Sequence, residues 1–370
     1  MRKNIVLLLV LVLLVWSIVV IPLPVQAQVR TIVVPDDYAT INAAIESASD
    51  GDTILVRNGT YHENVRVTKA IMLVGEDNQE TRIDGNAKEG YWVPLALRHD
   101  NAVVSNLNLC NSYAGIQLGK NNCTVLGNRI IANGFGVEIG WNSSGNTIIG
   151  NIIASNGRGI EIRGGTSNLV QGNEILSNSI GIYLNDEQSN DNNITGNMID
   201  NSRDAGIRLR MSWDNTVSNN TVMNTGENAI AVGFANNNTF RHNNFVNNTN
   251  QYYDGGENVP PEMAPYYVGY TSENVFEENY WSDYQGGDYD GDGKGNSAYA
   301  VWKKNADGSP LMNPVAFPER AVPPEYEPPD FPPLESASEL PMTEVFLVVS
   351  IVAVVLVIAG LLFYFKKRKR

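Results

Sequence analysis

Two groups of residues in this 370-residue chain have types and spacings suited to chemistry. The first is Asp288, Asp290 and Asp292, alternate aspartates followed by Gly293, with Lys294 and Asn296 next in line. Alternate carboxylates closed by a glycine turn form the first half of an EF-hand-like calcium loop, in which Lys294 would offer its carbonyl and Asn296 would stand ninth. The twelfth place, which normally supplies a bidentate glutamate, is Tyr299 here. The expectation is therefore a structural calcium ion whose shell is completed by a carbonyl or a more distant carboxylate. A plain acidic turn is the alternative.

The second group is dispersed. Glu138 and Glu161 each take the third place of a Gly-apolar-Glu-apolar segment, "GVEI" and "GIEI". Alternation of this kind sends the apolar residues to one face of a strand and the glutamate to the other. A structure that stacked these segments would bring the two carboxylates to about 5 Å, near the separation of a retaining glycosidase pair. Repulsion would then raise one pKa, as a general acid requires. Tyr183 and Arg208 hold the same place in later segments, Arg163 and Arg210 come two residues on, and Trp141 and Trp213 stand at the following turns. These eight residues are candidates for a glycan-binding strip, with tryptophan faces stacking on sugars, and Glu138 and Glu161 are candidates for catalysis within it. A solvated outer face, with Arg163 compensating Glu161, is the competing reading. A lyase would need a calcium-bound uronate, and no acidic cluster accompanies these arginines in sequence.

Copper would call for thiolate or imidazole ligands. His62, His99, His242, Cys110 and Cys123 are the available donors and no two have ligand spacing, so copper is not expected. Two cysteines also provide no disulfide framework. Seven Asn-x-Ser/Thr triplets, at Asn58, Asn122, Asn142, Asn193, Asn219, Asn237 and Asn247, would be glycosylation acceptors in an exported protein, although asparagine-rich corners generate such triplets by themselves.

Positioning falls to a repeat. Asn106, Asn128, Asn151, Asn173, Asn197, Asn220 and Asn243 recur every 22 to 24 residues, several of them in Gly-Asn steps. Five residues earlier runs a second column: Asn101, Cys123, Asn146, Asn168, Asn192, Asn215 and Asn238. The Gly-apolar-x-apolar segments, from Gly115 to Leu118 through Gly206 to Leu209, make a third. This period excludes helical repeats of 33 to 47 residues, and the leucine spacing is not that of a leucine-rich repeat. Short strands joined by Gly and Asn corners imply an all-β solenoid whose coils stack about 4.8 Å apart. Stacked amides can hydrogen-bond along the axis, and asparagine tolerates left-handed corners.

The flanks differ from the body. Residues 1–27 combine Arg2 and Lys3, an apolar run and Val25-Gln26-Ala27, the order of a signal peptide. Residues 28–98 read as an N-terminal cap and lead-in coils, with a helix over Tyr38 to Ser49 that turns Ile41, Ala44, Ile45 and Ala48 to one side. Residues 99–250 are the repeats, and 251–319 an aromatic-rich C-terminal cap carrying the acidic loop. A proline-rich stalk (320–343), a 344–365 segment long enough to span a bilayer and a basic tail (366–370) complete the chain. By the positive-inside rule that tail stays cytoplasmic, which leaves the body outside, anchored by one C-terminal helix. With Arg2, Lys3, Glu344 and the five-residue tail set aside, the body carries −20, against −14 for the whole. So acidic a surface disfavours nucleic acid as partner and suits cations or glycans.

Thr31 to Asp77, "TIVVPDDYATINAAIESASDGDTILVRNGTYHENVRVTKAIMLVGED", resembles the opening segment of right-handed parallel β-helix proteins of the pectin-lyase-like superfamily. The "GNxIxxNxxGIxL" coils resemble NosD-like, carbohydrate-binding and sugar-hydrolase repeats, and "NYWSDYQGGDYDGDGKGN" resembles a segment of archaeal surface members. The resemblance extends from Thr31 to Pro314 and implies a right-handed parallel β-helix. Together with the anchor read from the C-terminal residues, the expectation for function is a membrane-anchored surface module that binds glycans or serves envelope or adhesion. A polysaccharide lyase or glycoside hydrolase is one alternative, and a NosD-type copper-related periplasmic protein another.

Overall fold

Each coil is written by three alternating segments separated by short corners. In the coil from Thr147, the strand Thr147–Ile149 turns at Gly150-Asn151 into Ile152–Ala154, which turns at Ser155-Asn156 into Arg158–Arg163. The computed structural model describes residues 29–85, 92–255, 273–302 and 305–316, and stacks such coils into a right-handed parallel β-solenoid of about nine turns. Its three sheets hold 13, 10 and 9 strands, called here the first, second and third. Neighbours pair in parallel except at Tyr299–Trp302 with Asn305–Asp307. The expected signal peptide (1–27), stalk (320–343), membrane-spanning segment (344–365) and basic tail (366–370) lie outside the described residues. Among the described residues no helix is long and apolar enough to cross a membrane.

The corners explain the Gly-Asn steps. At each one a residue with φ near +55° to +65° is followed by a residue buried in the interior. At the first corner the left-handed place is held by Asn106, Gly127, Gly150, Gly172, Gly196, Asn219, His242 and Glu278. Glycine enters that region without a Cβ penalty and asparagine tolerates it. The asparagine that follows turns inward. Asn151 donates both its backbone N–H and Nδ2 to Oδ1 of Asn173, at 3.0 and 2.9 Å, and Nδ2 also reaches Val125 O at 3.0 Å. The same pattern continues without a break from Asn128 to Asn279 and ends on the carboxylate of Asp307.

The second column behaves likewise from Cys123 to Asn274. The expected first members of both columns are out of register. Val103 pairs with Thr124, so Ala102 rather than Asn101 occupies the Cys123 slot; by the same logic Leu107 rather than Asn106 occupies the Asn128 slot. Asn101 and Asn106 instead hold the left-handed place one residue earlier, at φ +62° and +58°. A third amide column, Asn133, Asn156 and Asn178, lines the remaining corner and was not foreseen. There the left-handed residue varies among Ala132, Ser155 and Ser177, which hides the column from a search on Gly-Asn.

Between the corners, one inward position per short strand and two in the third sheet form continuous apolar stacks, among them Val125, Ile148, Val170 and Ile194, all fully buried. Truncating one such isoleucine to alanine costs about 2–5 kcal/mol. The N-terminal end is covered by the helix Ile41–Ser47, capped by Thr40 Oγ1 accepting from Ala43 N, which buries Ile41, Ala44 and Ile45. It is shorter than the expected Tyr38–Ser49. The coils also continue past residue 250: Asn274 and Asn279 extend both ladders, and the stack then widens into Phe240 on Phe276 and Phe245 on Trp281, with Tyr299 stacked on Trp281.

Candidate functional site

The third sheet brings the dispersed candidates together on its outer face. Gln117, Glu138, Glu161, Tyr183, Arg208 and Ala231 are successive register partners, one per coil. The competing reading, a solvated face, does not describe this row, which is largely covered: Glu161 is 0% exposed and Glu138 6%. The cover comes from long side chains lying along the sheet, and it comes with hydrogen bonds, as a buried carboxylate demands.

Arg158 Nη1 meets Glu161 Oε1 at 2.6 Å, and Asn185 Nδ2 donates to the same oxygen at 3.2 Å. Arg163 lies between the two glutamates, with Nη2 3.4 Å from both Glu161 oxygens and Nη1 3.8 Å from Glu138 Oε1. Gln117 Nε2 donates to Glu138 Oε2 at 2.9 Å, and Arg98 donates to Gln117 Oε1. On the far side Tyr183 OH donates to Asn185 Oδ1 at 3.2 Å, while the Tyr183 ring packs under Arg158 at 4.9 Å and Arg208 at 5.9 Å. One connected polar network thus runs across six coils, from Arg98 to Arg208.

Its electrostatics follow from burial and pairing. Partial burial pulls the Arg163 guanidinium down, but the charges of Glu161 and Glu138 outweigh it and hold the group above its ordinary value. At the N-terminal end burial and the neighbouring Arg66 charge push Arg98 below its ordinary value. Chemically, the glutamates are adjacent, as a retaining pair would be. Yet Glu161 has no exposed surface and its oxygens are held by two arginines and an amide, so Glu161 is not poised to attack a sugar carbon.

The aromatic border is asymmetric. Trp141 is 53% exposed and its ring lies over Gly164, where a Cβ would fall 2.8 Å from Cε3 and where φ is +70°. Beyond it the corner is lined by amides and hydroxyls, including Asn121, Asn142, Ser144, Thr166 and Gln188. Trp213 is half-buried, its backbone N–H held by Asn190 Oδ1 at 2.8 Å, and Arg210 is exposed. Sequence reasoning left Arg66, Arg98, Arg158 and Asn185 out of the site. The third-sheet register assigns Arg66 and Asn185 outward places, whereas Arg158 alternates with the inward Ile160 and Ile162 and yet reaches Glu161 with its guanidinium.

At the C-terminal cap, carboxylate oxygens of Asp288, Asp290 and Asp292 approach within 4.8 Å of one another. Asp288 accepts from Gly291 N at 2.7 Å and Gly293 N at 2.9 Å, and these backbone bonds, the Gly293 bond foremost, hold its carboxyl below the usual range. Lys294 turns its ammonium to Glu278, and Asn296 Oδ1 accepts from Tyr289 N. Tyr299 OH bonds both oxygens of Asp283, and burial first, then that charge, pushes the phenol up.

The soft donors do not converge. His99 Nδ1 lies 2.8 Å from Asp100 O, and His242 Nε2 lies 3.0 Å from Glu278. Cys110 Sγ faces Arg82 Nε at 3.0 Å, and Cys123 Sγ faces His99 O; burial pushes both thiols up. His62 is exposed on an early coil.

Residues 39–286 match the family described as "Periplasmic copper-binding protein (NosD)". No curated protein matches the chain. Among solved structures it is similar to the Dettilon tailspike protein gp208 at 13% identity and TM-score 0.46, covering 67% of this chain and 62% of that one. Pectate lyase Pel9A follows at 13% and 0.44, with coverages of 66% and 86%. A PL6 alginate lyase complexed with a trisaccharide stands at 15% and 0.47, with 72% and 63%. The chain therefore spans less than two thirds of the tailspike and of the PL6 lyase.

Proposed function

The chain belongs to the NosD family, and from that premise we propose that it is an extracytoplasmic glycan-binding module displayed at the cell surface. The observation that carries this reading is Trp141: an indole half open to solvent, laid flat on Gly164, between the arginine network and an amide- and hydroxyl-lined corner. An aromatic face beside hydrogen-bonding groups is what a sugar ring, with its apolar face and hydroxyl edge, requires. Export and anchoring rest on residues 1–27 and 344–370, and the proline-rich 320–343 segment would hold the body away from the bilayer. Copper, named in the family's description, does not fit the donors here, because no three histidine or cysteine donors converge among the described residues, so no role is assigned through it.

Calcium in the Asp288, Asp290 and Asp292 loop is proposed as a stiffener of the C-terminal cap. Chelation should lower the thermal midpoint of the wild type by a few degrees and leave Asp290→Asn unchanged; an equal midpoint with and without chelator overturns it.

The test of the main reading is binding of the full chain, in detergent, to soluble polysaccharides, read by tryptophan fluorescence, with the same wells assayed for new reducing ends. Trp141→Ala should weaken binding about tenfold, on the scale of the 1–3 kcal/mol lost with an aromatic stacking partner. Binding that survives Trp141→Ala intact overturns the site. New reducing ends that vanish in Glu161→Gln would make the protein an enzyme.

A further inference from the structure

The glycan-binding reading leaves the charge of the ligand open, and the arginines address it. Within a body of net charge −20, six of the twelve arginines among the described residues lie on the outer face of the third sheet: Arg66, Arg98, Arg158, Arg163, Arg208 and Arg210. The two glutamates there are matched by Arg158 and Arg163. Arg66, Arg208 and Arg210 have no carboxylate partner among the described residues.

Their spacing is also informative. Two residues beyond the Glu138 row runs a parallel column: Arg98, Gly119, Gly140, Arg163, Asn185 and Arg210. Arginines recur there after three coils and then two, or roughly 14 and 10 Å at about 4.8 Å per coil, with side chains no larger than asparagine between them. Only Leu118 O lies near the Cβ position of Gly140, at 3.3 Å, so the floor is open at that rung. Guanidinium forks pair bidentately with carboxylate or sulfate.

We propose that this face takes a polyanionic glycan, a chain of sugars bearing carboxylate or sulfate groups, lying along the solenoid axis with its charges on Arg66 and Arg98 at one end and on Arg208 and Arg210 at the other, while Arg163 stays with the two glutamates. The acidic remainder of the body repels anions that miss the strip, which gives the site its selectivity. The inference rests on the glycan-binding reading and adds the charge and direction of the ligand.

The test uses the full chain in detergent with three probes: polygalacturonate, neutral dextran and single-stranded DNA. Polygalacturonate should bind at least tenfold more tightly than dextran, and its affinity should fall as salt rises, since ion pairs with an exposed strip are screened. Arg208→Gln with Arg210→Gln should weaken polygalacturonate about tenfold, flatten its salt dependence and leave dextran and the far-ultraviolet dichroism unchanged. Dextran binding as well as polygalacturonate overturns this inference and leaves the glycan reading standing. Binding of DNA alone, or of nothing, overturns both.

Discussion

The solenoid carries two kinds of ladder on one register, and they differ in what they repeat. Inside, the corner amides are the same residue on coil after coil, each donating to the next at 2.9 to 3.0 Å. Outside, on the third sheet, the equivalent row reads Gln117, Glu138, Glu161, Tyr183, Arg208, and every contact in it is a different chemistry. Both rows are largely buried, and in both the buried amides and carboxylates are hydrogen-bonded. Sameness is what stacking physics asks of any coil, because each must fit the one below and the one above. Heterogeneity at a position stacking would let be uniform points to something outside the fold.

The sharpest way to break this contrast is to remove an inner rung. Asn197→Ala deprives two Asn173 donors of their acceptor and removes the donors to Val170 O and Asn220 Oδ1. With about 1–3 kcal/mol for each buried group left unpaired, a loss of about 3 kcal/mol or more is expected, seen as faster amide exchange in the coils on either side. Glu161→Ala should cost less, about 2 kcal/mol in denaturant unfolding, because Arg158 and Arg163 are a third exposed and can turn to water. A loss as large as at Asn197 would make the outer row structural.

Acid probes the junction between ladder and cap. Glu278 accepts from Lys294 and His242, and those bonds, Lys294 first, hold its carboxyl below its ordinary 4.5. A depressed carboxyl stabilises the fold above that value and loses its contribution as pH falls through the folded pKa. The cap tryptophans should therefore loosen first below about pH 4.5, followed by Trp281 fluorescence, and Glu278→Gln should abolish the effect. The smallest change is Tyr183→Phe, which gives up one bond to Asn185 and keeps the ring under both arginines; about 0.5–1 kcal/mol is expected.

Much of the inner architecture was legible because it is periodic. The 22 to 24-residue spacing of the Gly-Asn steps specified coils, strands and two amide columns. What escaped was local: Asn101 and Asn106 matched the period but belonged to the left-handed place, a one-residue offset that identical amides conceal. The third column was lost because its preceding residue is not glycine. At the site, the row of outward residues was readable from strand alternation, but its burial was not. Arg158 folds over Glu161 although strand alternation places it with the inward residues Ile160 and Ile162, and no period announces that.

The last rung of the first ladder has a wider consequence. Asp307 accepts from five N–H groups, those of Glu278, Asn279, the Asn279 side chain, Trp281 and Ser309. A carboxylate can receive but has no amide hydrogen to hand on. The ladder therefore has a reading direction and a full stop. Every interior coil is a word that both receives and passes on the same bond, so a coil can be duplicated or deleted in the middle of the sentence without rewriting its neighbours. Length can thus drift among descendants of this chain while the terminator stays where it is, and the span of the outer strip would be measured out in whole coils.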